Sequence, residues 1–127
     1  MRIEPEEPTI VLPVEVFSET ESRIVDMALD TGSTYVMIPW QVAESLGYDP
    51  AVSKKKVNLT TASTVEVVPL IKVRAIKTLG LKVNDVEVVC HDLPPDSKVE
   101  GLLGLSFLKH FDIELLLKQK ELRLRDP

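Results

Sequence analysis

The sequence predicts an all-β domain with one or two short helices. Three observations lead there. At 127 residues the chain has length for one modest core. Its apolar runs are rich in β-branched residues and are punctuated by polar, Gly or Pro clusters. Helical spacing of apolar residues appears in only two short segments.

The elements follow in order. Residues 1–8, "MRIEPEEP", read as an N-terminal extension to a domain spanning 9–127. "TIVLPVEVF" alternates poorly, which predicts a strand covered on both faces. The polar cluster "SETES" then turns the chain into "RIVDMALD", a hairpin. "PWQVAESLG" reads as a short helix, with Pro39 in its first turn, Gly47 as its C-terminal cap, and Val42, Ala43 and Leu46 at helical spacing. Trp40 is expected to anchor that helix to the sheet.

In "VEVVPLIKVRAI" every odd position from Val65 to Ala75 is apolar, while Glu66, Lys72 and Arg74 occupy even ones. That predicts one long half-buried strand, with Pro69 marking an edge or bulge. Asn84-Asp85, between two apolar runs, predicts a hairpin turn. "LSFLKHF" gives a second short helix after Gly104, with Leu105 and Leu108 on one side and His110 just past its end. "DIELLLKQKELRLRD" reads as strand, Lys-Gln-Lys turn, strand. Leu115, Leu116 and Leu117 in succession need cover on both faces, so this segment is expected to supply an interface strand, the alternative being that it closes the chain's own sheet.

Composition excludes several functions. The chain is 44% hydrophobic and 28% charged, with a net charge of −5. Its one cationic run, Lys54–Lys56, lacks interleaved aromatics and reads as a solvated loop, so no nucleic acid partner is expected. Cys90 is the sole cysteine. That forbids an intrachain disulfide and suggests a reducing, cytoplasmic setting. No apolar run is long enough for a membrane span, and the start is acidic where a secretory signal would be basic. Cys90, His91 and Asp92 invite a metal reading, but adjacent strand residues face opposite ways and His110 is the only other histidine. No metal or cofactor is expected.

One stretch carries chemistry. "MALDTGSTYVMIP" breaks an apolar strand at Asp30, followed by Thr31, Gly32 and Ser33. An acid on such a turn is held rigidly with its oxygens accessible. Thr31 is placed to bond inward and fix the loop, Gly32 to let a peptide pass, and Ser33 to donate its hydroxyl to the carboxylate. The same tripeptide also suits a plain turn. Asp26, four strand residues earlier, lies roughly 13 Å away, too far to share a proton with Asp30.

The loop resembles the catalytic loop of aspartic proteases, and "VEGLLGLSFLKHFDI" resembles that clan's second signature, in which Leu102, Leu103 and Gly104 precede a short helix. Between them, "VNLTTASTVEVV" lies where the family places its flap. The chain thus resembles a retropepsin-like, single-domain aspartic protease with a closed β-barrel fold and one lobe per chain. The resemblance implies Asp30 as the catalytic acid, supported by Thr31, Gly32 and Ser33. It implies substrate contacts from Thr61, Ala62, Ser63 and Thr64 in the flap and from Leu102, Leu103 and Gly104, with Leu29 and Val36 nearby.

No second Asp-Thr-Gly or Asp-Ser-Gly occurs. The resemblance therefore implies a homodimer in which Asp30 of each copy supplies one carboxylate. The expected activity is hydrolysis of peptides or unfolded protein, between apolar residues, by a water activated through general acid–base catalysis. The flap departs from the family, because no Gly occurs between Gly47 and Gly80. That leaves an alternative, a retropepsin-like dimerisation or peptide-binding module with little turnover, and a third in which Asp30 is only a turn residue.

Overall fold

The computed structural model describes residues 1–7, 9–60 and 63–127. β1 (Val11–Phe17) and β2 (Ser22–Leu29) form the first hairpin, paired from Val11↔Ala28 to Phe17↔Ser22. Its turn is closed by the Ser18 amide bonding the Glu21 carbonyl. Contrary to the two-sided burial expected of β1, Leu12, Val14 and Val16 are buried while Val11 and Pro13 are exposed. The strand has one partner layer, so its outer face meets water.

β3 (Val36–Ile38) leads into α1 (Trp40–Ser45), which ends at Gly47 with φ 91°. Val42 and Ala43 bury one face of α1 in the core, and Trp40 packs at the core's margin. Tyr48 follows. Its hydroxyl donates to the Phe17 carbonyl and accepts from the Arg74 amide, and burial raises its pKa. A single 3-10 turn, Pro50–Val52, precedes β4 (Lys56–Thr60).

β5 (Val65–Thr78) and β6 (Leu81–Cys90) make the longest pairing. Their turn is Leu79-Gly80, both at positive φ (51° and 78°), as a two-residue hairpin loop demands. Asn84-Asp85, expected as the turn, lies inside β6. Asp85 is distorted there to φ 55°, opposite Arg74, whose amide is taken by Tyr48. β7 (Gly101–Leu103) runs into α2 (Leu105–Leu108). The chain closes with the hairpin β8 (Asp112–Leu116) and β9 (Glu121–Arg125) around the expected lysine-rich turn. Residues 1–3 lie along that hairpin. Arg2 bridges Glu121, the Ile3 amide bonds the Lys120 carbonyl, and Ile3 is buried.

The strand order β1-β2-β7-β3-β6-β5 closes on itself because β5 also pairs with β1. The result is a six-stranded barrel with β4 hanging on β5 outside the closure. Its interior is filled by Leu12, Met27, Ile38, Ile76, Leu103 and Phe107, all essentially inaccessible. β7 threads between β2, to which it is parallel, and β3, to which it is antiparallel. That threading brings the two signature segments together.

Candidate active site

Asp30 directly follows β2. Its amide donates to the Leu103 carbonyl at 3.0 Å, so the acid hangs from the end of β7. The Gly32 amide donates to Asp30 Oδ1 at 3.0 Å, and the Ser33 amide to the Asp30 carbonyl at 3.2 Å. A Cβ at position 32 would sit 3.3 Å from that same Oδ1, so Gly32 keeps the turn tight against the carboxylate. Asp30 itself is half-buried.

The loop is clamped from the other side by residues 104–106. The Leu105 amide donates to the Ser33 carbonyl (2.8 Å) and the Ser106 amide to the Thr34 carbonyl (2.9 Å). The Ser106 hydroxyl accepts from the Val36 amide (2.9 Å) and donates to the Glu87 carbonyl (2.7 Å). One buried hydroxyl thereby joins α2, β3 and β6. Burying it costs little because both its hydrogen-bonding roles are filled. Ser106 escaped the sequence reading, although a lone polar residue inside "LLGLSFL" was the available signal. Gly104 is required by packing. A side chain there would run into the Tyr35 and Ser33 carbonyls.

Several expected positions take different roles. The Ser33 hydroxyl donates to the Tyr35 carbonyl at 2.8 Å, so its proton goes to the backbone and not to the Asp30 carboxylate. Thr31 does not bond inward. It is exposed, and among the described residues its hydroxyl has no partner. Leu102, Leu103 and Gly104 separate, because successive strand residues face opposite sides. Leu102 turns outward to a cleft, Leu103 inward to the core, and Gly104 packs on backbone. Val36 is likewise core. Leu105 is 40% exposed while Leu108 is buried, so they do not share a side of α2.

The cleft beside Asp30 has a volume of about 380 Å³ and runs between the Asp30 loop and β4. Ser33, Tyr35, Met37, Val57, Leu59 and Leu102 give it mixed polar and apolar walls. A second hollow of about 700 Å³ continues from it, sharing Met37, Leu59, Thr60 and Leu102. The β4–β5 hairpin stands over both. Ser63 is exposed near its tip, and Thr64 lines the second hollow. Thr61 and Ala62 lie outside the described residues. Cys90, fully buried at the end of β6, has its thiol pushed up to about 12 by burial and then by Asp92, which leaves it no nucleophilic role.

An aspartyl protease family matches residues 13–107. A retropepsin-like aspartic protease from Rickettsia conorii superposes with a TM-score of 0.72 at 18% identity, over 98% of this chain and 86% of its own. The retroviral protease-like domain of Ddi1 from Leishmania major gives 0.58 at 15% identity, over 96% and 92%. The Simian Foamy Virus (mac) protease gives 0.50 at 19%, over 78% and 91%. At these identities the likenesses speak for the fold alone. None of the curated protein sequences matches the chain. Matched to the family over most of its length, and sharing the closed barrel of these structures, the chain belongs to the aspartyl protease family and has the retropepsin-like fold.

Proposed function

We propose that the protein is an aspartic endopeptidase whose active site is completed by a second copy of the chain. One observation carries this reading. Asp30 is rigidly mounted at the mouth of a substrate-sized cleft, and it is the sole carboxylate among the described residues lining that cleft. General acid–base hydrolysis at carboxylates needs two such groups in complementary protonation states. A two-fold axis beside Asp30 supplies the second without further sequence. The exposed hydroxyl of Thr31 is available for a contact across that axis, and the outward Leu115 and Leu117 offer apolar surface for a partner.

Two carboxylates roughly 3 Å apart cannot both ionise at ordinary cost, so they share one proton. The ionised one takes a proton from water as its oxygen attacks the peptide carbonyl. The protonated one donates to the carbonyl oxygen, and collapse of the tetrahedral intermediate delivers a proton to the leaving nitrogen. The apparent pKa values belong to the pair. Substrate is a peptide or an unfolded protein, extended along the cleft beneath the β4–β5 hairpin. A reducing, cytoplasmic setting is part of the proposal, resting on the single buried cysteine.

The flap favours a second reading, a peptide-binding or dimerisation module with little turnover, since residues 61–64 contain no Gly. Wild type and Asp30→Asn, incubated with an unfolded protein across the acidic and neutral range, separate the two. Cleavage by wild type alone is expected, with both proteins sedimenting as dimers. Equal cleavage by both would refute the role of Asp30, and dimers that bind peptide without cutting it would favour the module.

A further inference from the structure

The β4–β5 hairpin places one charged side chain among the apolar ones on its inner face. Its register pairs Val57↔Val68, Leu59↔Glu66 and Thr60↔Val65. Opposed residues of an antiparallel pair share a face, so Val57, Leu59, Glu66 and Val68 lie on one side. Val57 and Leu59 line the Asp30 cleft, which makes that side the inner one. The outer side shows Val65 and Val67 to water, 62% and 65% exposed. A carboxylate therefore points inward where two valines point out, the reverse of what partitioning favours.

Glu66 lines the second hollow, together with Met37, Leu59, Leu93, Leu102 and the Pro94-Pro95 wall. Its polar lining is Thr60 and Thr64 together with Glu66, His91 and Asp92. His91 Nδ1 lies 3.6 Å from Glu66 Oε2, and Asp92 Oδ1 accepts the Trp40 amide at 3.0 Å. Among the described residues lining either hollow there is no Lys or Arg, whereas Asp30, Glu66 and Asp92 are all acidic. An apolar floor below an anionic rim suits a side chain with a methylene stem and a cationic head.

We propose that Glu66 selects a lysine or arginine side chain of the substrate in the subsite that continues the Asp30 cleft. This rests on the peptidase reading above and narrows it, by adding a cationic side chain to the apolar residues expected at the cleft. The stem lies along Leu59 and Leu102, and the head displaces the imidazole of His91 as the partner of Glu66. Because Glu66 is half-exposed, solvent weakens the pairing, and the expected discrimination is roughly fivefold.

The test uses peptides sharing one cleavable sequence and differing at a single scanned position, as Lys, norleucine or Glu. Their kcat/KM ratios are measured with wild type, Glu66→Gln and Glu66→Lys at one fixed pH. Wild type should prefer Lys over norleucine at one position. The preference should fall to near unity in Glu66→Gln and pass to Glu in Glu66→Lys. A merely structural role for the Glu66–His91 pair would lower all three peptides together and leave the ratios unchanged, which would overturn the assignment. The same ratios are read as binding of peptides with a reduced scissile bond. Failure of all cleavage with the binding ratios intact would remove the peptidase reading and keep the subsite. Equal binding of Lys and norleucine peptides by wild type, or no binding, would remove the subsite.

Discussion

The Asp30 loop and the β4–β5 hairpin face each other across one cleft and are built on opposite principles. Between Asp30 and Val36 the loop is tied to residues 103–106 by four hydrogen bonds, one through the buried Ser106 hydroxyl. It is backed by Phe107 and Leu103, both inaccessible. The hairpin has one cross-strand ladder, exposed valines outside, and a strand, β4, whose only partner among the described residues is β5. Parts that hold reacting atoms need fixed geometry, while parts that admit and release a chain draw on the less stable end of a structure. In this protein the tightly bonded side carries Asp30, and in the proposal above the hairpin carries specificity.

Substitutions that break this contrast should differ in size. Removing the Phe107 ring hollows the support under the loop, so Phe107→Ala should cost about 3–5 kcal/mol in urea unfolding, the largest effect here. Ser106→Ala strands the buried Val36 amide and should cost about 1–3 kcal/mol, lowering activity with it. If Ser106→Ala proved silent, the clamp would not be what holds the loop. On the other side of the cleft, Val67→Thr should change stability by less than about 0.5 kcal/mol, because its side chain already faces water.

The smallest effect concerns the Lys55–Glu87 pair (2.9 Å), which joins the residue just before β4 to β6. Its hydrogen bond with Lys55 lowers the Glu87 pKa. The contribution is therefore present above the ordinary glutamate pKa and lost as pH falls through the depressed one. Lys55→Gln should lower the neutral plateau slightly and erase that acid-side slope, so that the two stability–pH profiles converge at low pH. Lys55 is largely solvated and Glu87 partly so, and screening by salt should have a similar result.

What was legible in the sequence follows the same division. Asp30 on its turn, Leu102-Leu103-Gly104 before a helix, α1 with Gly47 at its end, and the β8–β9 turn all rest on local residue chemistry. The misread features depend on what stands opposite. β1 meets a partner layer on one face only, which alternation alone does not reveal. Gly80 supplies one positive φ of the hairpin turn freely and Leu79 is held at the other against its own preference, while Asp85 was drawn out of line where Tyr48 occupies the Arg74 amide. The odd-position pattern of β5 fails at its start because Val65 and Val67 stand off the barrel, where no core exists to receive them. Ser33 has a nearer acceptor in Tyr35 than in Asp30. Leu103 belongs to the core by strand alternation, a parity that the motif itself does not announce.

The central claim is that Asp30 works only as one of a pair. It is tested most directly by mixing wild type with Asp30→Asn, letting subunits exchange at constant total protein, and following cleavage against the wild-type fraction. If both carboxylates are required, activity falls as the square of that fraction, because only wild-type pairs cut. A linear fall would mean that one Asp30 suffices, and would contradict the account.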